Sequence, residues 1–410
     1  MTFYDLIIIG GGASGLMAGY AAAKEGLSVC ILEKMPRPAR KVMLTGKGRC
    51  NFTNARKWED FQHHIHPKSK FFRPAFYQFP PEKLMDLFAR HGLESVVERG
   101  QRVFPLSHQA ADVVDTLEKM CRNAGAQLLC HKEVKGIVRS EQEDFILGCH
   151  DGSSYKCKQL MIATGGLSYP SSGSSGDGYE FVQKWGHRIQ PTFPSLTALV
   201  PVNYKQGNSK GHIDRSTPLS EMGGKLCGIS LKNIALSLYI DGSLAESDMG
   251  DLDFTDGGIE GPLGFRVSRK AVKALINGSK VVLEIDLKPG VEEDKLAQKA
   301  ADIHKMLPAH IAKAFEASSH KENGSLAQRL KHWRFPIAGY VGYERSVVTA
   351  GGVSLDEINP KTFESKQVKG LYIIGELLDL DADTGGYNLH IAFASGWVAG
   401  HSAATNLPQE

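Results

Sequence analysis

The chain has 410 residues, of which 42% are hydrophobic, so it can bury substantial cores in two or three domains. Its net charge is only +3, and no apolar run approaches the roughly 20 residues of a membrane span, which excludes an integral membrane protein. Its first residues are typical of a structural strand rather than a signal peptide, so we expect a cytoplasmic protein. Its seven cysteines form no CxxC pair, which argues against a dithiol reductase.

The first predicted element is a nucleotide-binding βαβ unit. An apolar strand, 4–9, runs into Gly10-Gly11-Gly12-Ala13-Ser14-Gly15 and a helix of small residues, and a second apolar strand, 29–32, ends at Glu33. Glycine permits the sharp turn, the close approach of backbone N–H groups to a pyrophosphate, and close helix–sheet packing. An acid at this spacing reaches the ribose hydroxyls. The predicted nucleotide contacts are Gly10, Gly12, Ala13, Ser14, Gly15 and Glu33.

Residues 34–73 form a basic segment. They include eleven lysines and arginines against two acids, a net charge of +9, while the rest of the chain carries −6. This asymmetry predicts either a site for a polyanion or a pyrophosphate contact beside a solvated face, and both interpretations stay open. The cations predicted to contact the nucleotide are Lys34, Arg40, Lys41 and Arg49. His63, His64 and His66 have no acid nearby in sequence, so we interpret them as surface residues and predict no metal site.

The middle of the chain predicts helices at 81–91 and 110–124, then a β-meander of strands at 127–130, 134–139, 145–148 and 154–157. A further strand, 159–163, enters a second glycine turn at Thr164-Gly165-Gly166, followed by a short helix at 178–185. Residues 191–335 mix short strands with charged helical stretches, which indicates an inserted domain.

The last eighty residues return to the pattern of a nucleotide-binding fold. A buried strand, 371–374, ends at Gly375-Glu376, and Thr384-Gly385-Gly386-Tyr387-Asn388 opens a helix over about 389–405. Both ends of the chain therefore build one site. We predict an α/β fold whose nucleotide-binding domain comprises 1–190 and 336–410, with 191–335 inserted.

This arrangement resembles the glutathione-reductase-like flavoproteins, in which FAD lies extended and a distal acid binds its ribityl chain. The strings RKVMLTGKGRCNFTN (40–54), ATGGLSYP (163–170), FTDGGIEGP (254–262), TAGGV (349–353) and GELLDLDADTGGYN (375–388) are similar to the BaiN-like, or YhiN-like, bacterial flavoproteins from end to end. The resemblance implies a Rossmann-like FAD-binding domain with an inserted β-rich domain and a helical cap. Lys47 and Glu260 depart from the residues that this family often carries, and they add a base and an acid near the expected site.

The resemblance also implies where the flavin ring lies: between the loop 46–54, the Gly351-Gly352 turn and the start of the last helix. Backbone N–H groups of Tyr387 and Asn388 would face its N1–C2=O edge. The further cofactor contacts predicted on this basis are Gly46, Thr164, Gly165, Gly352, Gly375, Glu376, Gly386, Tyr387 and Asn388. Cys50 is the candidate catalytic acid, because Arg49 and nearby lysines flank its thiol, and Tyr387 and His390 are alternatives.

The varied activities that the resemblance implies, together with the residues above, leave three functions open. The first is an FAD-dependent reductase of an activated C=C bond, with uridine in large-subunit ribosomal RNA favoured because the basic segment adjoins the flavin loop. The second is an aminoacetone-type amine oxidase, and the third is a non-catalytic, flavin-bound RNA-binding factor. Only one dinucleotide motif is present, so NAD(P)H would visit the flavin transiently or another protein would supply electrons. The sequence predicts a small-molecule or RNA substrate and no membrane, and it does not predict the oligomeric state.

Overall fold

A computed structural model describes residues 2–207, 210–299, 302–319 and 324–407. The chain forms two units, the first built from Met1–Thr192 with Val348–Glu410 and the second from Phe193–Val347. In the described part of the chain, no helix has both the length and the apolar character that crossing a membrane requires.

The amino-terminal part of the first unit contains eleven strands and seven helices. The strands are β1 (Thr2–Ile9), β2 (Val29–Leu32), β3 (Thr53–Asn54), β4 (Ile65–His66), β5 (Ser95–Glu98), β6 (Arg102–Pro105), β7 (Gln127–Leu129), β8 (Val134–Arg139), β9 (Phe145–Cys149), β10 (Ser154–Ile162) and β11 (Ile189–Ser195). The helices are α1 (Ala13–Lys24), α2 (Arg40–Leu44), α3 (Trp58–Phe61), α4 (Ser69–Gln78), α5 (Pro81–Arg90), α6 (Ala110–Asn123) and α7 (Asp177–Gln183).

The second unit is a β-barrel with helices. Its strands are β12 (Leu199–Pro201), β13 (Gly211–His212), β14 (Ser230–Ile240), β15 (Ser243–Thr255), β16 (Gly258–Glu260), β17 (Val281–Asp286) and β18 (Trp333–Tyr340). Its helices are α8 (Glu221–Leu226), α9 (Gly261–Ile276), α10 (Glu293–Lys299), α11 (Ile303–Met306), α12 (Ala309–Ser319) and α13 (Leu326–Lys331). Because β12 pairs with both β16 and β18, the order β12-β16-β15-β14-β17-β18 closes on itself, and alternating apolar residues fill the interior.

The first unit is completed by the carboxyl-terminal residues, which form β19 (Val348–Val353), β20 (Leu371–Ile373), β21 (Asp381–Ala382) and the long helix α14 (Gly385–Asn406). Strands β7, β2, β1, β10 and β20 are parallel, with β1 and β20 both paired to β10. Strands β9 and β8 extend β10 in antiparallel fashion. Two strands from opposite ends of the sequence therefore flank one central strand, and the Rossmann-like α/β fold with an inserted β-rich domain is confirmed.

Helices α1 and α14 pack on each other through glycines. A Cβ atom at Gly396 would lie 2.3 Å from the Ser14 carbonyl oxygen, and one at Gly400 would lie 2.5 Å from that of Ala18. Only glycine permits so close an approach of two helix backbones. This contact fixes the amino terminus of α14 relative to the glycine turn after β1.

The structure differs from the predicted elements at three places. Residues 127–129 extend the parallel sheet beside β2 instead of joining the meander. The two strands expected at 154–157 and 159–163 are one strand, β10, because its first half pairs with β9 and its second half with β20. The expected domain border at residue 335 falls inside β18, and the second unit extends to Val347 because β18 completes the barrel.

Candidate cofactor and active site

The glycine turn between β1 and α1 leaves an open cradle at a helix amino terminus. A Cβ atom at Gly12, the residue before α1, would have no neighbour within 4 Å, and no side chain caps the helix. By contrast, a Cβ atom at Gly15 would lie 1.9 Å from the Gly10 carbonyl oxygen, and one at Gly10 would lie 2.5 Å from that of Ala163. Gly10 and Gly15 are thus needed for packing, whereas Gly12 borders space in which helix N–H groups can bind an anion.

Glu33 lies at the end of β2 with its carboxylate against this turn. Its Oε2 accepts a hydrogen bond from the Gly11 N–H at 2.7 Å, and its Oε1 accepts one from the Met35 N–H at 2.8 Å. Burial raises the pKa of Glu33, and these two N–H groups oppose the shift. A buried carboxylate of this kind suits neutral hydroxyl donors such as those of a ribose.

The motifs at 163–170, 349–353 and 375–377 meet in one hydrogen-bonded network. Thr349 accepts bonds at its Oγ1 from the Leu167 and Ser168 N–H groups at 2.8 and 3.0 Å. The Thr349 N–H donates to Glu376 Oε1 at 2.7 Å, and Glu376 Oε2 forms an ion pair with Lys41 Nζ at 2.5 Å. The distal acid therefore lies beside the basic segment, and Lys41 already has an anionic partner.

Two of the predicted glycines in this region have packing roles. A Cβ atom at Gly352, where φ is 137°, would lie 2.6 Å from the Leu377 carbonyl oxygen. One at Gly165, where φ is 76°, would lie 2.9 Å from Ser174 Oγ. Close backbone packing accounts for Gly352, and a left-handed backbone beside the Ser174 side chain accounts for Gly165; their contact with a cofactor stays a prediction. Thr164 borders the same turn, since a Cβ atom at Gly178 would lie 2.1 Å from its Oγ1.

The loop from Thr45 to Asn51 is shaped by left-handed backbone at Gly46, Lys47, Gly48 and Cys50, with φ of 58°, 57°, 85° and 57°. It ends with the buried amide of Asn51, which is 8% exposed. Within the described residues, no donor lies within hydrogen-bond distance of Asn51 Oδ1. A buried acceptor without a partner is costly, and this one indicates a site for a ligand N–H group.

Asn51 lies against the amino terminus of α14. A Cβ atom at Gly386 would come within 2.6 Å of Asn51 Nδ2, so the loop amide and the first turn of α14 are in contact. No side chain caps this helix either. Asn388 anchors the turn, because its amide donates to the Ala382 carbonyl at 2.7 Å and accepts from the Ala382 N–H at 3.0 Å. Sequence reasoning did not single out Asn51, although it lies within the quoted motif.

The three candidate acids lie near this end of α14, but in different surroundings. Cys50 is fully buried, and burial raises the pKa of its thiol to about 12. His390 is fully buried beside Phe61, Phe72 and Phe76, and burial lowers its pKa to about 3. Arg49, expected beside the Cys50 thiol as an activating cation, pairs with Glu98 at 3.0 Å instead. Their catalytic roles stay predictions.

Tyr387 and a pair of histidines form the polar part of this end of α14. Tyr387 is 3% exposed, and the His64 ring stacks on it at 4.4 Å. The side chains of His64 and His66 are partly exposed, and both pair with Asp383, an acid that is distant in sequence. No sequence signal could identify the acid, because it follows His66 by more than three hundred residues. His63 is exposed, as expected.

At least five of the eleven cations of the basic segment form ion pairs, and four of the five acids lie outside the segment. Its ion pairs are Lys34–Asp177, Lys41–Glu376, Arg49–Glu98, Arg56–Asp60 and Lys68–Asp356. The exposed cations include Arg37, Arg40, Lys57, Lys70 and Arg73.

In the second unit, Glu260 forms an ion pair with Arg345 at 2.6 Å.

These features together fit FAD. The open cradle at α1 and the carboxylate of Glu33 suit the pyrophosphate and the adenosine ribose, Glu376 suits a ribityl hydroxyl, and Asn51 Oδ1 suits the N3–H of the flavin. Tyr387 and Asn388 lie in the first turn of α14, where the helix dipole stabilises negative charge.

Known proteins match this chain along nearly its whole length. It is 32% identical to a 3-dehydro-bile acid delta(4,6)-reductase from Clostridium scindens over 97% of this chain and 98% of that protein. It is 27% identical to a ribosomal RNA dihydrouridine synthase from Escherichia coli, covering 97% of each.

Solved structures share the fold at low identity. The 3-ketosteroid delta1-dehydrogenase of Sterolibacterium denitrificans has a TM-score of 0.54 at 12% identity and covers 99% of this chain and 100% of that chain. The fumarate reductase subunit FrdA of Escherichia coli has a TM-score of 0.52 at 17% identity, and the match covers 99% of this chain and 71% of that chain. Residues 4–402 match the family described as HI0933-like protein Rossmann domain. The chain belongs to this family, and it is an FAD-dependent oxidoreductase.

Proposed function

We propose that this enzyme saturates an activated C=C bond, and that its substrate is a uridine of large-subunit ribosomal RNA, which it converts to dihydrouridine. The names of both curated relatives describe the saturation of a C=C bond. FAD, when bound, supplies a hydride from N5. A reduced nicotinamide nucleotide, NADPH or NADH, would supply the electrons.

The observation that carries the RNA assignment is the distribution of exposed cations. Arg37 and Arg40 precede the loop 45–51, and Lys57, Lys70 and Arg73 follow it. Such cations can neutralise successive phosphates of a nucleic acid, and the resulting affinity falls steeply as salt rises. The ion pairs within the segment leave these five side chains solvent-exposed.

A second substrate class is favoured by a different observation. Met43 and Leu44 of α2, just before the same loop, are 43% and 50% exposed. Exposed large apolar side chains beside a cofactor site suit an apolar substrate such as a cyclic enone. Deletion of the gene distinguishes the RNA substrate from the apolar one.

The decisive experiment is deletion of the gene in its host, followed by mapping of dihydrouridine in ribosomal RNA by mass spectrometry. We expect one dihydrouridine to disappear and to return when the intact gene is supplied. Purified enzyme with FAD and NADPH should then restore it in ribosomal RNA from the deletion strain. An unchanged dihydrouridine profile eliminates the RNA substrate, and turnover of 2-cyclohexenone then supports the apolar one.

Charge reversal tests the basic surface directly. Lys70→Glu with Arg73→Glu should weaken RNA binding and reduce its salt dependence, with FAD binding unchanged. Lys313→Glu, at an exposed lysine of the second unit, is the matched control and should leave RNA binding unchanged. If air rapidly reoxidised the reduced enzyme with stoichiometric release of peroxide, and no C=C acceptor reoxidised it, the enzyme would instead be an oxidase.

A further inference from the structure

Two histidines share one carboxylate at the start of α14. His64 Nδ1 lies 2.9 Å from Asp383 Oδ2, and His66 Nε2 lies 2.6 Å from Asp383 Oδ1. The side chains are partly buried, with 23%, 28% and 16% of His64, His66 and Asp383 exposed. We call these three residues the His–Asp–His cluster.

Backbone pairing holds the His–Asp–His cluster in place. Strands β4 and β21 are antiparallel, with His66 opposite Asp381, and the Asp383 N–H donates to the His64 carbonyl at 3.1 Å. The cluster is therefore anchored by main-chain hydrogen bonds and not by its ion pairs alone. Substitution of one side chain can then test its chemistry without removing the strands.

The position of the cluster links it to the cofactor site. Asp383 directly precedes Thr384, the N-cap residue of α14, and the His64 ring stacks on Tyr387 with an interplanar angle of 19°. Asn51, with its unpartnered Oδ1, lies against the same helical turn at Gly386. The cluster and the amide that suits the flavin thus meet at one helix end.

The ionisation of Asp383 defines which nitrogens carry protons. Burial opposes its ionisation, but the hydrogen bonds from His64 and His66 lower its pKa to about 2. The carboxylate accepts from both rings, so His64 Nδ1 and His66 Nε2 are N–H donors. His64 Nε2 is then the nitrogen that can gain or release a proton. Among the described residues, the Asp383 carboxylate pairs with His64 and the Tyr387 ring stacks on it, and Asp381 lies opposite His66.

Saturation of a C=C bond needs a proton as well as a hydride. We propose that the His–Asp–His cluster is the proton source of the reaction, with His64 as the catalytic acid and His66 and Asp383 as positioning residues; this inference rests on the proposed function. The hydride adds to one carbon with its electron pair, and the N–H bond at His64 Nε2 breaks as a C–H bond forms on the neighbouring carbon. Neutral His64 regains its proton from water, and the reduced nicotinamide supplies the electrons.

The rival acids are less suited to this step. The Cys50 thiol and the His390 ring are both fully buried, and neither has a carboxylate hydrogen-bond partner among the residues that the structure describes. His390 Nδ1 lies 3.0 Å from Thr53 Oγ1, a neutral hydroxyl. The His–Asp–His cluster is partly exposed, so water can reprotonate it.

The first test needs no substrate. In FAD-loaded protein with ¹⁵N-labelled histidine, we expect the His64 Nε2 resonance to move towards the protonated form when the cofactor is reduced with dithionite. Asp383→Asn should weaken that response, while His63→Gln should leave it unchanged. A His64 resonance that does not respond to reduction overturns the inference, whatever the substrate is.

The second test follows reaction with ribosomal RNA from the deletion strain or with 2-cyclohexenone. His64→Gln should slow oxidation of the reduced enzyme by the acceptor by about 10²-fold or more and remove the pH dependence of that oxidation. Reduction of the enzyme by NADPH should be unchanged. Added imidazole should restore part of the rate, which a structural defect would not allow. The control is His63→Gln at an exposed neighbour. A wild-type rate in His64→Gln overturns the inference, whereas an enzyme that no C=C acceptor oxidises overturns the proposed function and the proton transfer with it.

Discussion

The substitution Asn51→Leu separates cofactor binding from folding. Asn51 is 8% exposed, and its Oδ1 has no donor among the described residues. An unsatisfied buried acceptor costs about 1–3 kcal/mol, so leucine, which removes it at similar volume, should leave the FAD-free protein at least as stable as the wild type. If the flavin N3–H satisfies this oxygen, the same change should weaken FAD binding by about 5- to 150-fold.

The matched control is Asn54→Leu, three residues along the same segment. Asn54 is 3% exposed, but its Nδ2 donates to the Gly100 carbonyl at 2.9 Å and its Oδ1 accepts from the Arg56 N–H at 3.2 Å. Its loss should lower the free energy of unfolding by about 1–3 kcal/mol and leave FAD affinity unchanged. Urea unfolding of FAD-free protein and fluorescence titration with FAD measure the two quantities. If Asn51→Leu destabilises the fold as Asn54→Leu does and binds FAD normally, the assignment of the orphaned oxygen to the flavin is refuted.

Three further predictions concern the glycine turn and the buried titratable groups. Gly12→Ala should keep the stability of the FAD-free wild type but bind FAD more weakly. Gly15→Ala should lower the melting temperature, because its Cβ would lie 1.9 Å from a backbone oxygen. If calorimetry and FAD titration gave the same result for both variants, this distinction would be contradicted. Burial lowers the pKa of His390 from 6.5 to about 3, so between these pH values the unfolded chain binds a proton that the folded protein does not. Each pH unit of acidification below pH 6.5 should therefore lower the free energy of unfolding by roughly 1.4 kcal/mol. The urea midpoint of His390→Gln should lack this pH dependence. Asp383 has a pKa lowered from 3.8 to about 2, so its stabilisation is present above pH 3.8 and lost as pH falls towards 2, and Asp383→Asn should flatten stability over that range.

The nucleotide end of the site could be predicted from sequence because its determinants are local. The turn after β1, the helix α1 and the acid ending β2 lie within thirty-three residues, and each has a backbone or charge requirement that restricts its residue type. The strand that ends at Gly375-Glu376 could be predicted from the same pattern. The sequence does not show which strands pair with one another, so it predicts the two halves of β10 as separate strands.

The contacts of Asn51 and of His64, His66 and Asp383 at the start of α14 could not be predicted, because these residues come from distant segments. Asp383 meets His64 and His66 only because β21 pairs with β4. Asn51 looked like one residue of a motif, and its importance depends on an oxygen left without a partner by the fold. Charge counting had a similar limit, since five cations of the basic segment pair with acids, four of them outside it.

Burial determines which of the titratable groups can exchange protons. Cys50 was attractive in sequence because cations flank it, but a thiol in an apolar interior holds its proton more tightly, and Arg49 is paired with Glu98 and lies over the Phe104 ring at 4.1 Å. His390 suffers the opposite shift from the same cause, because a buried imidazole resists protonation. Desolvation therefore makes one candidate a weaker acid and keeps the other neutral. At this end of α14, His64 differs from both candidates, because its ring is partly exposed to water and its Nδ1 lies 2.9 Å from the Asp383 carboxylate.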